Sequence, residues 1–77
     1  MKLWKFDGKT VKITDFKGQT FIGIADYHSA DNNTSGIQSL TIETYDSRDG
    51  MLIEFEEPDI ASVEVIFTIP QNLALAV

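Results

Sequence analysis

The chain contains no cysteine, one histidine, one arginine and two prolines among its 77 residues. The first absence removes disulfides, which small domains often use to supplement a core too small to hold the fold alone. With no thiolate, a zinc site would have to be assembled from His28 and carboxylates, and neither a metal nor any other cofactor is expected. No apolar run is long enough to span a membrane. The segment MKLWKFDGK places charge on both sides of Leu3, Trp4 and Phe6, unlike the continuous apolar stretch of a signal peptide. The expectation is a chain without a membrane partner, in the reducing cytoplasm.

What is present is enough for one domain over residues 1–77, since either half alone would bury too little apolar surface to offset chain entropy. A chain of this length hides only roughly 60% of the surface its unfolded form exposes. With disulfides and metals set aside, self-association is the remaining way to bury more. Charge is unevenly spread along the net −6 chain. Residues 1–18 hold Lys2, Lys5, Lys9, Lys12 and Lys17 against Asp7 and Asp15, a local +3, and the rest carries Arg48 against ten acids, a local −9. A basic head precedes an acidic body.

Alternation of apolar and polar residues with period two recurs in short runs bounded by turn residues, and no run of helical periodicity competes with it. Strands are predicted over residues 9–15, 20–28, 38–45, 51–56 and 63–67. Lys17-Gly18 forms the first turn, Ser29 to Gly36 a polar loop, and Asp46 to Gly50 another turn. Phe21, Gly23, Ala25 and Tyr27 share one face of the second strand and Ile22, Ile24, Asp26 and His28 the other. Apolar residues on both faces of its first half predict burial on both sides, and Gly23 predicts a bend or a close backbone approach. Pro58 cannot extend an interior ladder, so Glu57 to Ile60 is expected to be a tight connection with one turn of 3₁₀ helix.

The fold class read from this is all-β: a strongly bent, SH3-like barrel of five short strands over residues 9–67. An N-terminal turn or helix over residues 1–8 caps it with Leu3, Trp4 and Phe6. A tail over residues 68–77 follows, and from Gln71 to Val77 it holds more apolar residues than a free tail should, so that it is either packed on something or frayed.

The order and spacing of these elements resemble the Sm-like family. Val11, Ile13, Gly18, Phe21, Gly23 and Ile24 match the pattern of its first motif, and Leu52-Ile53-Glu54-Phe55 with Ile60 and Val63 resembles the apolar positions of its second. The resemblance covers residues 2–67. It implies a homo-oligomeric ring in which the fourth strand of one subunit pairs with the fifth of the next, with Met51, Ile53, Phe55, Val63, Val65 and Phe67 at the interface. It also implies an RNA-binding site, but the residues that would carry one are mostly replaced. The family's aspartate after the second strand falls on Ser29, its asparagine on Asn33, and the basic step of the second motif on Glu56 and Glu57. Reversing charge there opposes a phosphate backbone.

Other candidate sites have ordinary explanations. Asp31 to Gly36 resembles the start of a calcium loop, but the twelfth position is Ile42 where a bidentate glutamate is needed. Asp26 and His28 share a strand face as a base and its orienting carboxylate would, yet no nucleophile accompanies them, and enzymatic activity is not expected. Glu54, Glu56, Glu57 and Asp59 read as a solvated strand face that a ring would multiply. The functional expectation is a non-catalytic module that forms a ring and engages a protein or peptide. The alternative is RNA binding through the basic face of Lys2, Lys5 and Lys9, with Trp4 or Phe6 stacking on a base, or through the Asn33 loop.

Overall fold

A computed structural model describes residues 1–44 and 52–66. Five antiparallel strands, β1 (Thr10–Asp15), β2 (Thr20–His28), β3 (Ser39–Thr44), β4 (Leu52–Glu56) and β5 (Ile60–Val65), form one sheet in the order β4-β3-β2-β1-β5. A 3₁₀ turn at Leu3–Phe6 precedes the sheet, and others occupy Ala30–Asn32 and Glu57–Asp59. β4 and β5 do not pair with one another among the described residues, so the antiparallel sheet is established while the expected barrel closure is not.

The period-two pattern fixes which face is buried. Val11, Ile13, Ala25, Leu40, Ile42, Phe55 and Ile60 form the core with Leu3, and Phe6, Phe21, Tyr27, Ile53 and Val63 pack against it. The cross-strand row Ala25, Ile42 and Ile53 and the row Tyr27, Leu40 and Phe55 carry it across three strands. Phe21 on β2 and Phe55 on β4 meet with ring centroids 5.0 Å apart although β3 separates their strands in the sheet. Such a contact requires strong curvature, and Gly23 permits it: a Cβ there would lie 2.0 Å from the Glu43 carbonyl oxygen on β3.

Three expectations need correction. Ile22 and Ile24 are 40% and 44% exposed on the outer face, so β2 is buried on one side only. β5 begins at Ile60, three residues earlier than predicted, because the bulge opposite Thr14 and Asp15 takes up its irregular first residues. In the N-terminal turn, Leu3 is fully buried and Phe6 packs on the core, but Trp4 is 58% exposed. A 3₁₀ turn eclipses residues three apart, so Leu3 and Phe6 share the inward side and leave Trp4 outside it. Tyr45, Met51, Phe67, the Asp46 to Gly50 turn and the 68–77 tail lie outside the described residues.

Candidate functional site

The two ends of the sheet, β4 and β5, each have a single strand neighbour among the described residues. The Glu57–Asp59 turn joins them directly, with Pro58 inside it, as its fixed φ and missing N–H favour. Of the side chains assigned to a subunit interface, Phe55 is buried in the core, Ile53 and Val63 pack against it, and Val65 is half exposed. Met51 and Phe67 fall outside the described residues. The edge of β5 is therefore offered chiefly by backbone groups and Val65. The Ile66 N–H donates to the Thr10 carbonyl at 2.8 Å. Strand alternation then turns the Val65 N–H away from β1.

Asn33 is a structural residue of its loop. Its Nδ2 donates to the Ile37 carbonyl at 2.7 Å and to Ser39 Oγ at 3.0 Å, and Ser39 Oγ donates onward to Glu54 Oε2 at 3.0 Å. Ser39 is fully buried, so this chain of bonds satisfies a hydroxyl that would otherwise be costly to bury. The Asn33 amide is thus engaged by Ile37 and by the first residue of β3.

The basic head is partly engaged. Lys12 Nζ lies 3.7 Å from Glu64 Oε1 across the β1–β5 pair, whereas Lys2, Lys5 and Lys9 are exposed. The terminal ammonium of Met1 and the Gln38 side chain both donate to Glu57 Oε2, and Gln38 Nε2 also donates to the Met1 carbonyl at 2.7 Å. The hydrogen bond from the ammonium holds the Glu57 carboxyl below the usual carboxylate range; desolvation opposes this, and ammonium attraction and the Gln38 bond reinforce it. A depressed carboxyl contributes stability above its unfolded pKa and loses it as pH falls through the folded value. Acidification below about 4.3, the ordinary glutamate value, is therefore expected to loosen the head. The amide shifts of Lys2 to Lys5 should follow that titration by NMR, and Glu57→Gln should flatten it.

Asp26 and His28 do come together. His28 Nε2 is 3.7 Å from Asp26 Oδ2 and 2.9 Å from Thr41 Oγ1. The shorter contact ties the ring to a threonine hydroxyl on the neighbouring strand, and Asp26 approaches the same ring nitrogen instead of holding Nδ1 as an orienting carboxylate would. In the calcium-like segment, Ala30–Asn32 is a 3₁₀ turn and Ile42 is buried in β3. No cluster of three metal-ligating side chains occurs among the described residues, and no helix there is long and apolar enough to cross a membrane.

Sequence reasoning missed the most deliberately built surface feature. The Asp15 carboxylate accepts the N–H groups of Lys17 and Gln19, both at 2.9 Å, while the Gly18 N–H donates to the Asp15 carbonyl at 3.1 Å. Gly18 adopts φ +83°, which a side chain would resist. This tightly bonded turn holds Phe16 74% exposed. Asp15, Phe16 and Lys17 form one wall of a cleft of about 340 Å³ whose other wall is Glu54, Phe55 and Asp59. The spacing Asp15-x-x-Gly18 was the available signal, since Asp at the first and Gly at the fourth position of a turn leaves the intervening side chains at its tip. Comparison with protein-family models, with curated proteins and with solved structures yields no match.

Proposed function

We propose that this chain is a non-catalytic, Sm-like interaction module that assembles into a homo-oligomeric ring by pairing the β4 edge of one copy with the β5 edge of the next. The observation that carries the reading is the strand order β4-β3-β2-β1-β5, which among the described residues leaves at the two edges strands adjacent in sequence and joined by a three-residue turn. Unpaired edges on so small a sheet are an aggregation hazard, and cyclic pairing removes them. The resemblance of Val11, Ile13, Gly18, Phe21 and Gly23 to the family's first motif supports the same assembly. Protein or peptide recognition fits the acidic body better than RNA does, given Glu56 and Glu57 and an Asn33 whose donors are occupied.

A second reading, RNA binding through Lys2, Lys5 and Lys9, draws support from the exposure of Trp4 beside them. One experiment addresses both. Sedimentation at micromolar concentration is expected to give a discrete oligomer, unchanged by added oligouridylate, and Val65→Pro is expected to abolish that oligomer without unfolding the chain. The substitution removes an N–H that points away from β1, so the circular dichroism spectrum should persist. A wild-type chain that sediments as a monomer would remove the ring, and a mass increase with oligouridylate that salt abolishes would favour RNA.

A further inference from the structure

We propose that the cleft between the β1–β2 turn and β4 receives the N-terminal turn of a second copy of this chain, with Trp4 entering between Phe16 and Phe55. Lys2 and Lys5 of the incoming turn then face Asp15, Glu54 and Asp59. The inference rests on the self-association reading above but uses side chains of the β1–β2 turn, of β4 and of the turn after it, where edge pairing uses the β4 and β5 backbone.

Both halves of the contact are present in one molecule, and among the described residues they do not meet within it. The cleft has two aromatic residues and three carboxylates against the single ammonium of Lys17. None of those carboxylates, nor Lys17, takes part in an ion pair among the described residues. At about 340 Å³ the cleft reaches the lower end of the roughly 300–1,000 Å³ range of ligand pockets, room for a large side chain and not for an extended ligand. Phe16 is held outward by the Asp15 bonds, so little ordering remains to be done on binding.

The N-terminal turn is the complementary surface. Lys5 adjoins Trp4 within the 3₁₀ turn, Lys2 immediately precedes the turn, and all three side chains are exposed. The turn is positively charged and its Trp4 is exposed, whereas the cleft is negatively charged and lined by aromatics. Aromatic pairing and cation attraction to an aromatic face both act across such a contact. The turn does not line its own chain's cleft, and Leu3, fully buried, pins it in place. The contact is therefore between copies. It is heterologous, like edge pairing, and so compatible with cyclic assembly.

Trp4 is the chain's one tryptophan and reports directly on the contact. At low salt, its emission is expected to shift to the blue as protein concentration rises, and added salt should reverse the shift. Lys5→Glu and Asp59→Lys should each weaken the association about tenfold or more, as loss of a close charge pair does, and the double variant should restore it. Phe16→Ala should weaken it without lowering thermal stability, because Phe16 is exposed. The Val65→Pro chain separates the two readings. A concentration-dependent shift that persists there at low salt supports the head-to-cleft contact even if the edge-paired ring is absent. Emission fixed at the solvent-exposed wavelength at every concentration would overturn the contact and leave edge pairing standing. Failure of the double variant to rescue would overturn it too, as would a blue shift that appears only with added oligouridylate.

Discussion

Gly23→Ala is expected to lower unfolding stability by at least about 3 kcal/mol, at or beyond the upper end of ordinary overpacking costs. The added methyl would sit 2.0 Å from the Glu43 carbonyl oxygen, 2.7 Å from its carbonyl carbon and 2.7 Å from Ile42 Cγ2. Two of these atoms are backbone of the neighbouring strand, and Ile42 is fully buried, so no flexible side-chain end can yield. Relief requires β2 and β3 to separate where their ladder pairs Gly23 with Thr44 and Ile24 with Glu43. For a chain of this length, total stability is of order 4–12 kcal/mol, so the loss is a large fraction of it. Urea denaturation with Gly18→Ala as comparison measures the effect. At Gly18 a methyl meets nothing within 4 Å, and the cost comes only from φ +83°, about 1–2 kcal/mol. Equal midpoints for the two variants would show that the β2–β3 approach relaxes freely.

Gly23 was legible in the sequence because a glycine among alternating apolar residues has few physical uses. The same logic made most strands readable: Val11 and Ile13, Leu40 and Ile42, and Phe55 follow the pleat and are buried. Pro58 located the tight turn between β4 and β5 because its missing N–H cannot serve an interior ladder. Where the pattern misled, it did so for identifiable reasons. Ile22 and Ile24 have the composition of a doubly buried strand, but composition does not say whether a second layer exists to cover the outer face. β5 starts in Ile60-Ala61-Ser62, whose small and polar residues show no alternation, and its pairing is decided by β1 and a bulge.

The candidate sites were less readable because their geometry depends on contacts distant in sequence. Asn33 invited comparison with a base-binding asparagine, yet its role is set by Ser39 and, through it, by Glu54 on another strand. Glu57 read as one of four similar acids, but Met1 and Gln38 give it partners the others lack. Trp4 was expected inside with Leu3 and Phe6, and the three-residue period of the 3₁₀ turn puts it outside. That displacement changes its meaning, from a cap on the core to a side chain available to another molecule.

Leu3→Ala should therefore affect both the fold and the surface that Leu3 supports. Leu3 is fully buried in the core and is the one residue of its turn so placed. Truncating a buried leucine costs about 2–5 kcal/mol, the sum of lost transfer free energy and the cavity left behind. Here the lower half of that range is expected, because a terminal turn can peel away and let water reach the vacated site. Loosening of the turn should be visible separately from global destabilisation. The bonds from the Lys5 N–H to the Lys2 carbonyl, the Asp7 N–H to Trp4 and the Lys9 N–H to Phe6 belong to the head, whereas the Ala25 N–H bond to Lys9 ties β2 to its base. Native-state hydrogen exchange should show the head amides losing protection well before those of β2 and β3. The concentration-dependent blue shift of Trp4 should disappear as well, since a detached turn no longer presents Trp4 and Lys5 in a fixed relation and must be ordered anew on binding. Uniform loss of protection across head and sheet would instead make Leu3 a core residue whose removal has no separate effect on the docking surface.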